Sequence, residues 1–160
     1  MRLSSSVPAI QFLYRDIHLA AALDVAQGLV DAGFLRGNAA DLVEQGAFAL
    51  FFPHGIGHMV GLGVRDAGGY LPGRSRSEAP ALRFLRIDLP LEPRHVVTIE
   101  PGIYFPPHVL EAPEIRRQHR DTLVWNRVDK LRGFGGIRIE DDVLILDDGN
   151  EVLTHTIPKL

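Results

Sequence analysis

Pro53-His54-Gly55-Ile56-Gly57-His58-Met59-Val60-Gly61-Leu62 sets two imidazoles four residues apart, a spacing that would put both on one helix face. The glycines between them argue against helix and for an extended or turning segment. Two further segments carry chemistry in the same way. Thr98-Ile99-Glu100-Pro101-Gly102-Ile103-Tyr104 places a carboxylate at the end of an apolar strand, where burial is costly without a cation or hydrogen bonds. In Gly135-Gly136-Ile137-Arg138-Ile139-Glu140-Asp141-Asp142-Val143, period-two alternation puts Arg138 and Glu140 on one face and Ile137 and Ile139 on the other.

The flanking sequence predicts helices first and strands later. Over residues 16–32, Ile17, Ala21, Val25 and Leu29 form an apolar stripe with Leu19, Leu23, Ala26 and Val30 beside it. Asp24, Gln27 and Asp31 fall opposite, Asp16 is the expected N-cap and Gly33 the stop. A second helix is expected from Asn38 through Glu44 to about Phe48. Beyond Pro53 glycine punctuates the chain, with a strand expected over 59–64 and an exposed loop over 71–80. Strands are expected at 95–99, 103–105 and 137–146, with Asp148-Gly149 as a hairpin signal before 151–156. Residues 116–130 read as a helix or an excursion loop. This order gives an α+β domain.

The 160 residues suffice for one domain with a core, and 46% hydrophobic with 23% charged residues is an ordinary globular balance. A formal net charge of −3 leaves no footprint for nucleic acid. No apolar run is long enough to span a membrane, and Met1-Arg2-Leu3-Ser4-Ser5-Ser6 leads into no signal-like stretch. Cysteine is absent, which fits a reducing compartment, so the expected location is cytoplasmic.

One imidazole with carboxylates is a donor set suited to Mn²⁺, Co²⁺ or Zn²⁺, and in paired sites to activating a bridging water. Singly, each residue has an ordinary reading: a solvated histidine, an acidic turn at Glu140, a surface arginine at 86 beside Arg83. Together, the three segments resemble the C-terminal half of the pita-bread (creatinase/aminopeptidase) metallopeptidase domain, of the prolidase and Xaa-Pro aminopeptidase kind. The likeness spans residues 14–154, and the two glutamates lie 40 residues apart, as prolidases place them. It implies helices packed on a curved, mainly antiparallel sheet, with a partial catalytic domain over 14–157 behind an N-terminal tail over 1–13.

The resemblance further implies metal ligation by His58, Glu100 and Glu140, Glu140 bridging two metals. Glu100 would also accept and return a proton, and His54 would line the substrate site as a second catalytic residue. Leu82-Arg83-Phe84-Leu85-Arg86 resembles the prolidase segment whose last arginine holds the substrate carboxylate, and Arg138 matches another site arginine. The implied cofactor is a divalent metal, Mn²⁺ before Co²⁺ or Zn²⁺, and the implied substrates are Xaa-Pro peptides.

Two departures qualify this. Where the family has His-Asp, the chain reads Arg65-Asp66, trading a neutral imidazole for a guanidinium. The family's other ligands are two aspartates eleven residues apart on an upstream hairpin; here only Asp16, Asp24, Asp31 and Asp41 precede His58, and no two are so spaced. The expectation is therefore an incomplete paired site, completed if at all by a second copy or by an N-terminal half. The alternative is a non-catalytic pita-bread module that binds a peptide or a partner protein. Loss of the hairpin would also bare a sheet edge and an apolar face.

Overall fold

The computed structural model describes residues 13–66, 68–73 and 75–159; residues 1–12 of the expected tail lie outside these. Helix α1 (Tyr14–Asp31) buries Tyr14, His18, Ala22, Val25, Ala26 and Leu29, three or four apart as one helix face requires. This stripe is turned from the expected one: Ile17 and Ala21 are only half-buried and Leu23 is exposed. The turn seats His18 against Phe48 and Phe52, with ring centroids at 6.3 and 5.7 Å. Asp16 caps from inside the first turn rather than preceding it, accepting the Leu13 N–H at 3.2 Å. Gly33 does end the helix. At φ +72° it lets its own N–H reach the Val30 carbonyl and that of Phe34 reach Leu29, both at 2.8 Å.

The Asn38 side chain caps α2 (Ala39–Glu44) by accepting the Ala40 N–H at 2.9 Å. That helix stops short of Phe48 because Gly46 adopts φ +73°, after which Ala47–Leu50 forms a 3-10 turn. The redirected chain sends Phe48, Phe51 and Phe52 into the core beside Tyr14, Leu29, Ile56 and Val97. Each fully buried phenylalanine contributes about 1.5–3 kcal/mol relative to exposure.

No strand forms over 59–64. Met59 makes a single bridge to Val97, and the Asp66 carboxylate then captures the Leu62 N–H at 2.8 Å, curling the chain away. Residues 116–130, read as a helix or an excursion loop, are both: they hold the end of one short helix and the whole of another within a longer excursion between strands. The helices of the excursion are α3 (Pro107–Leu110), α4 (Pro113–Gln118) and α5 (Trp125–Val128).

Strands β1 (Val96–Ile99), β4 (Asp141–Ile145) and β5 (Asn150–Val152) form one antiparallel sheet in the order β1-β4-β5. Strands β2 (Gly102–Tyr104) and β3 (Gly136–Arg138) form a second antiparallel pair. The two pairings share a register. Ile99 lies opposite Asp141 and Gly102 opposite Arg138, so the ribbon runs through the break with Glu100 facing Glu140. The Ile139 N–H to Pro101 carbonyl bond, 3.1 Å, holds that break together. Pro101 has no N–H to offer the ladder, which is why regular pairing lapses there.

His18 supplies a pH test. Burial lowers its pKa from the usual 6.5, against the raising effect of its bond to the Ala81 carbonyl; burial also lowers His54 and His119. Well above pH 6.5 neither state carries these protons. As pH falls below it the unfolded chain protonates first, so stability is lost downward, by at most about 1.4 kcal/mol per pH unit per histidine. Urea midpoints should therefore drop between pH 7.5 and 5.5. His18→Gln, which can still bond Ala81, should flatten that slope; an unchanged slope would assign the loss to other groups.

Candidate functional site

Residues 56–60 run extended along the free edge of β1. Val60 N–H bonds the Val96 carbonyl at 2.9 Å, Thr98 N–H bonds His58 at 2.9 Å, and Glu100 N–H bonds Ile56 at 2.7 Å. This third strand-like segment sets His58 beside Thr98 and Glu100. Gly57 permits the approach: a Cβ there would overlap the Thr98 carbonyl and hydroxyl oxygens and the Tyr14 hydroxyl.

His58, Glu100 and Glu140 each offer one ligand atom, and the three atoms lie within 4.8 Å of one another. His58 and Glu100 are buried and Glu140 is exposed. His58 Nδ1 lies 2.9 Å from the Met59 carbonyl, so Nδ1 donates there, and in the neutral imidazole Nε2 keeps a lone pair. That lone pair faces Glu100 Oε1 at 3.4 Å. Two acceptors at that distance repel unless something positive joins them, and an imidazole oriented through its other nitrogen by a carbonyl is the usual arrangement of a metal-ligating histidine. The donor set fits a divalent cation. Among the described residues no other group of this kind gathers, and Asp16, Asp24 and Asp31 on α1 and Asp41 on α2 stand outside it.

The Arg138 guanidinium sits between the two carboxylates, 2.8 Å from Glu100 Oε2 and 3.9 Å from Glu140 Oε2. The second oxygen of Glu100 accepts the Thr98 hydroxyl at 3.0 Å. Ile137 and Ile139, on the opposite face as the alternation predicts, line an apolar groove with Leu29, Phe34, Ile103 and Phe134. Ile137 and Phe134 are about half exposed.

His54, Arg65, Arg86, Glu100, Tyr104 and Arg138 line one cleft of about 370 Å³ with His58. Gly55 lets the backbone of residues 84–86 pack close, which brings Arg86 to the cleft, while Arg83 turns away to stack on Phe84 at 4.8 Å. His54 donates from Nδ1 to the Gly55 carbonyl at 2.8 Å and accepts the Tyr104 hydroxyl at Nε2, 3.2 Å. Burial holds its pKa below the usual value, outweighing the raising effect of the Gly55 bond, so it is neutral at pH 7. Burial likewise raises Tyr104, keeping its hydroxyl a donor.

Sequence reasoning gave no role to Tyr104, Thr98 or Tyr14. Thr98 was findable, since it sits two residues before Glu100 and so on the same face. Tyr14, whose hydroxyl donates to the Thr98 carbonyl at 2.6 Å from 84 residues away, left no local signal.

A model of metallopeptidase family M24 matches residues 13–147. The chain is 44% identical over 154 residues to a Xaa-Pro dipeptidase of Shewanella amazonensis, covering 94% of this chain and 34% of that protein. It is 42% identical over 147 residues to Xaa-Pro dipeptidase 2 of Idiomarina loihiensis, covering 89% and 32%. Among solved structures, zinc-substituted Escherichia coli aminopeptidase P in complex with product aligns with TM-score 0.63 and 32% identity, over 94% of this chain and 27% of the other. Proline aminopeptidase P II from Yersinia pestis aligns with TM-score 0.63 and 29% identity, over 94% and 28%. The chain thus spans about a third of the length of the curated relatives it matches.

The ion pair at Arg138 is open to test. Arg138→Met leaves the buried Glu100 carboxylate without its guanidinium, and because Arg138 is itself 40% exposed the expected cost is about 2 kcal/mol, below that of a fully buried pair. Urea denaturation should show that loss, and adding Glu100→Gln should recover part of it. Full additivity of the two changes would mean the pair is not coupled.

Proposed function

The chain belongs to metallopeptidase family M24 and has the pita-bread half-domain architecture, and from that premise we propose that its cleft is a proline-peptide site built around one divalent cation. His58, Glu100 and Glu140 would hold the ion, with Mn²⁺ the first choice and Co²⁺ or Zn²⁺ the alternatives. The carrying observation is the His58 Nε2 facing Glu100 Oε1 at 3.4 Å with Glu140 in reach. When bound, the ion supplies Lewis acidity toward a scissile carbonyl or a water.

The chain's own groups supply the rest. Glu100 is the proton acceptor and donor, its Oε2 fixed by Arg138 and its Oε1 by Thr98. Arg86, with no side-chain partner among the described residues, is free to take a substrate's C-terminal carboxylate, for which a planar permanent cation is suited. Arg138 shares that cleft, and His54 and Tyr104 present polar edges to whatever lies between. Activity on Xaa-Pro bonds belongs to the named relatives and is proposed here for the reaction this site was shaped for.

Three ligands suit one cation rather than a bridged pair, so we infer that the chain by itself is not an active peptidase. That gathering of three favours, as a second reading, a peptide-binding module without turnover. A second copy or an N-terminal half is the proposed complement, supported by the exposed Phe134, Ile137 and Ile139. The absence of cysteine supports a cytoplasmic setting; among the described residues no helix is long and apolar enough to cross a membrane.

Metal analysis and Ala-Pro hydrolysis test both parts. The purified chain should take up at most one Mn²⁺, Glu100→Ala should abolish that uptake, and Ala-Pro should survive. Absence of any metal uptake would remove the site. Metal-dependent hydrolysis lost in Glu100→Ala would overturn the inference of inactivity.

A further inference from the structure

Thr98 is almost fully buried, 1% exposed, and its hydroxyl touches two of the three clustered residues at once. It accepts the backbone N–H of His58 at 2.9 Å and lies 3.0 Å from Glu100 Oε1. A carboxylate only accepts, so the single hydroxyl proton goes to Glu100. The β-branched side chain has little χ1 freedom. Tyr14, itself fully buried, ties down the Thr98 carbonyl, and Gly57 packs so close that a Cβ there would collide with the Thr98 carbonyl and hydroxyl oxygens. One oxygen of Glu100 is thereby set from inside the protein, while Arg138 sets the other from the cleft side.

We propose that Thr98 is a positioning residue: its hydroxyl locks the Glu100 carboxylate and the His58 backbone into one fixed geometry and thereby sets the affinity of the cluster for a divalent cation. This rests on the reading of that cluster as a cation site. Without the hydroxyl, Oε1 is free to rotate off the line to His58 Nε2, and the His58 N–H loses its acceptor. Supporting groups of this kind change metal affinity by about 10–100-fold when removed.

The test is Mn²⁺ titration calorimetry on the full chain, alongside thermal unfolding, for wild type, Thr98→Val and Thr98→Ser. Valine keeps the shape and loses the hydroxyl; serine keeps the hydroxyl and loses the methyl. Thr98→Val should weaken Mn²⁺ binding about tenfold or more, and Thr98→Ser should hold within about threefold of wild type even if its unfolding temperature falls. Wild type and Thr98→Val binding Mn²⁺ equally would overturn the positioning role and leave the cation site standing. Affinities that follow unfolding temperature rather than the hydroxyl would overturn it too. No Mn²⁺ binding by wild type would take down the site itself, and the inference with it.

Discussion

The structure depends on one register. The segments ending in Glu100 and Glu140 pair antiparallel on both sides of a break, and the same alignment through it sets two carboxylates opposite each other. Like charges facing across a ribbon are unfavourable, and this pair is half out of water. The protein meets the cost with a cation of its own, Arg138, which lies two residues before Glu140 and bonds the carboxylate opposite, Glu100. Everything at the site is arranged around that held pair: the edge segment that delivers His58, the hydroxyl of Thr98, and the cleft walls that carry Arg65 and Arg86.

Much of this was legible because strand geometry is simple. Period two alone separates Arg138 and Glu140 from Ile137 and Ile139, and the structure divides them between a polar cleft and an apolar groove. The glycines of the histidine segment argued for an extended or turning chain, and residues 56–60 pair along β1. What stayed hidden was long-range. Nothing near Tyr14 says that its hydroxyl will reach Thr98, and the turn of α1 that buries His18 in place of Ile17 reflects where the phenylalanines of residues 48–52 arrive. The expected strand at 59–64 failed for a local reason of the kind propensity misses: one aspartate carboxylate captured a backbone N–H first.

Small residues give the site its tightness. Tyr104 lies over Gly102 and Gly136, and a Cβ at either would collide with its ring. That leaves the ring to meet His54 edge-on at 5.4 Å and direct its hydroxyl to the imidazole. Gly55 and Gly57 do the same for the backbone of residues 84–86 and for Thr98. Several glycines that look like loop residues in the sequence are thus contact surfaces.

The ribbon also divides the chain into lengths that matter and lengths that do not. The excursion between β2 and β3 carries three short helices and never enters the pairing that opposes Glu100 to Glu140. Residues gained or lost at an exposed turn within it mainly alter the closure of a loop, whose entropy grows slowly with length. One residue gained inside either strand is different in kind, since it would swing a carboxylate through the sheet to the isoleucine side. A length change at an exposed turn of that excursion, away from its buried Leu110, Leu123 and Val128, therefore leaves the opposed carboxylates in place, while one beside either glutamate does not.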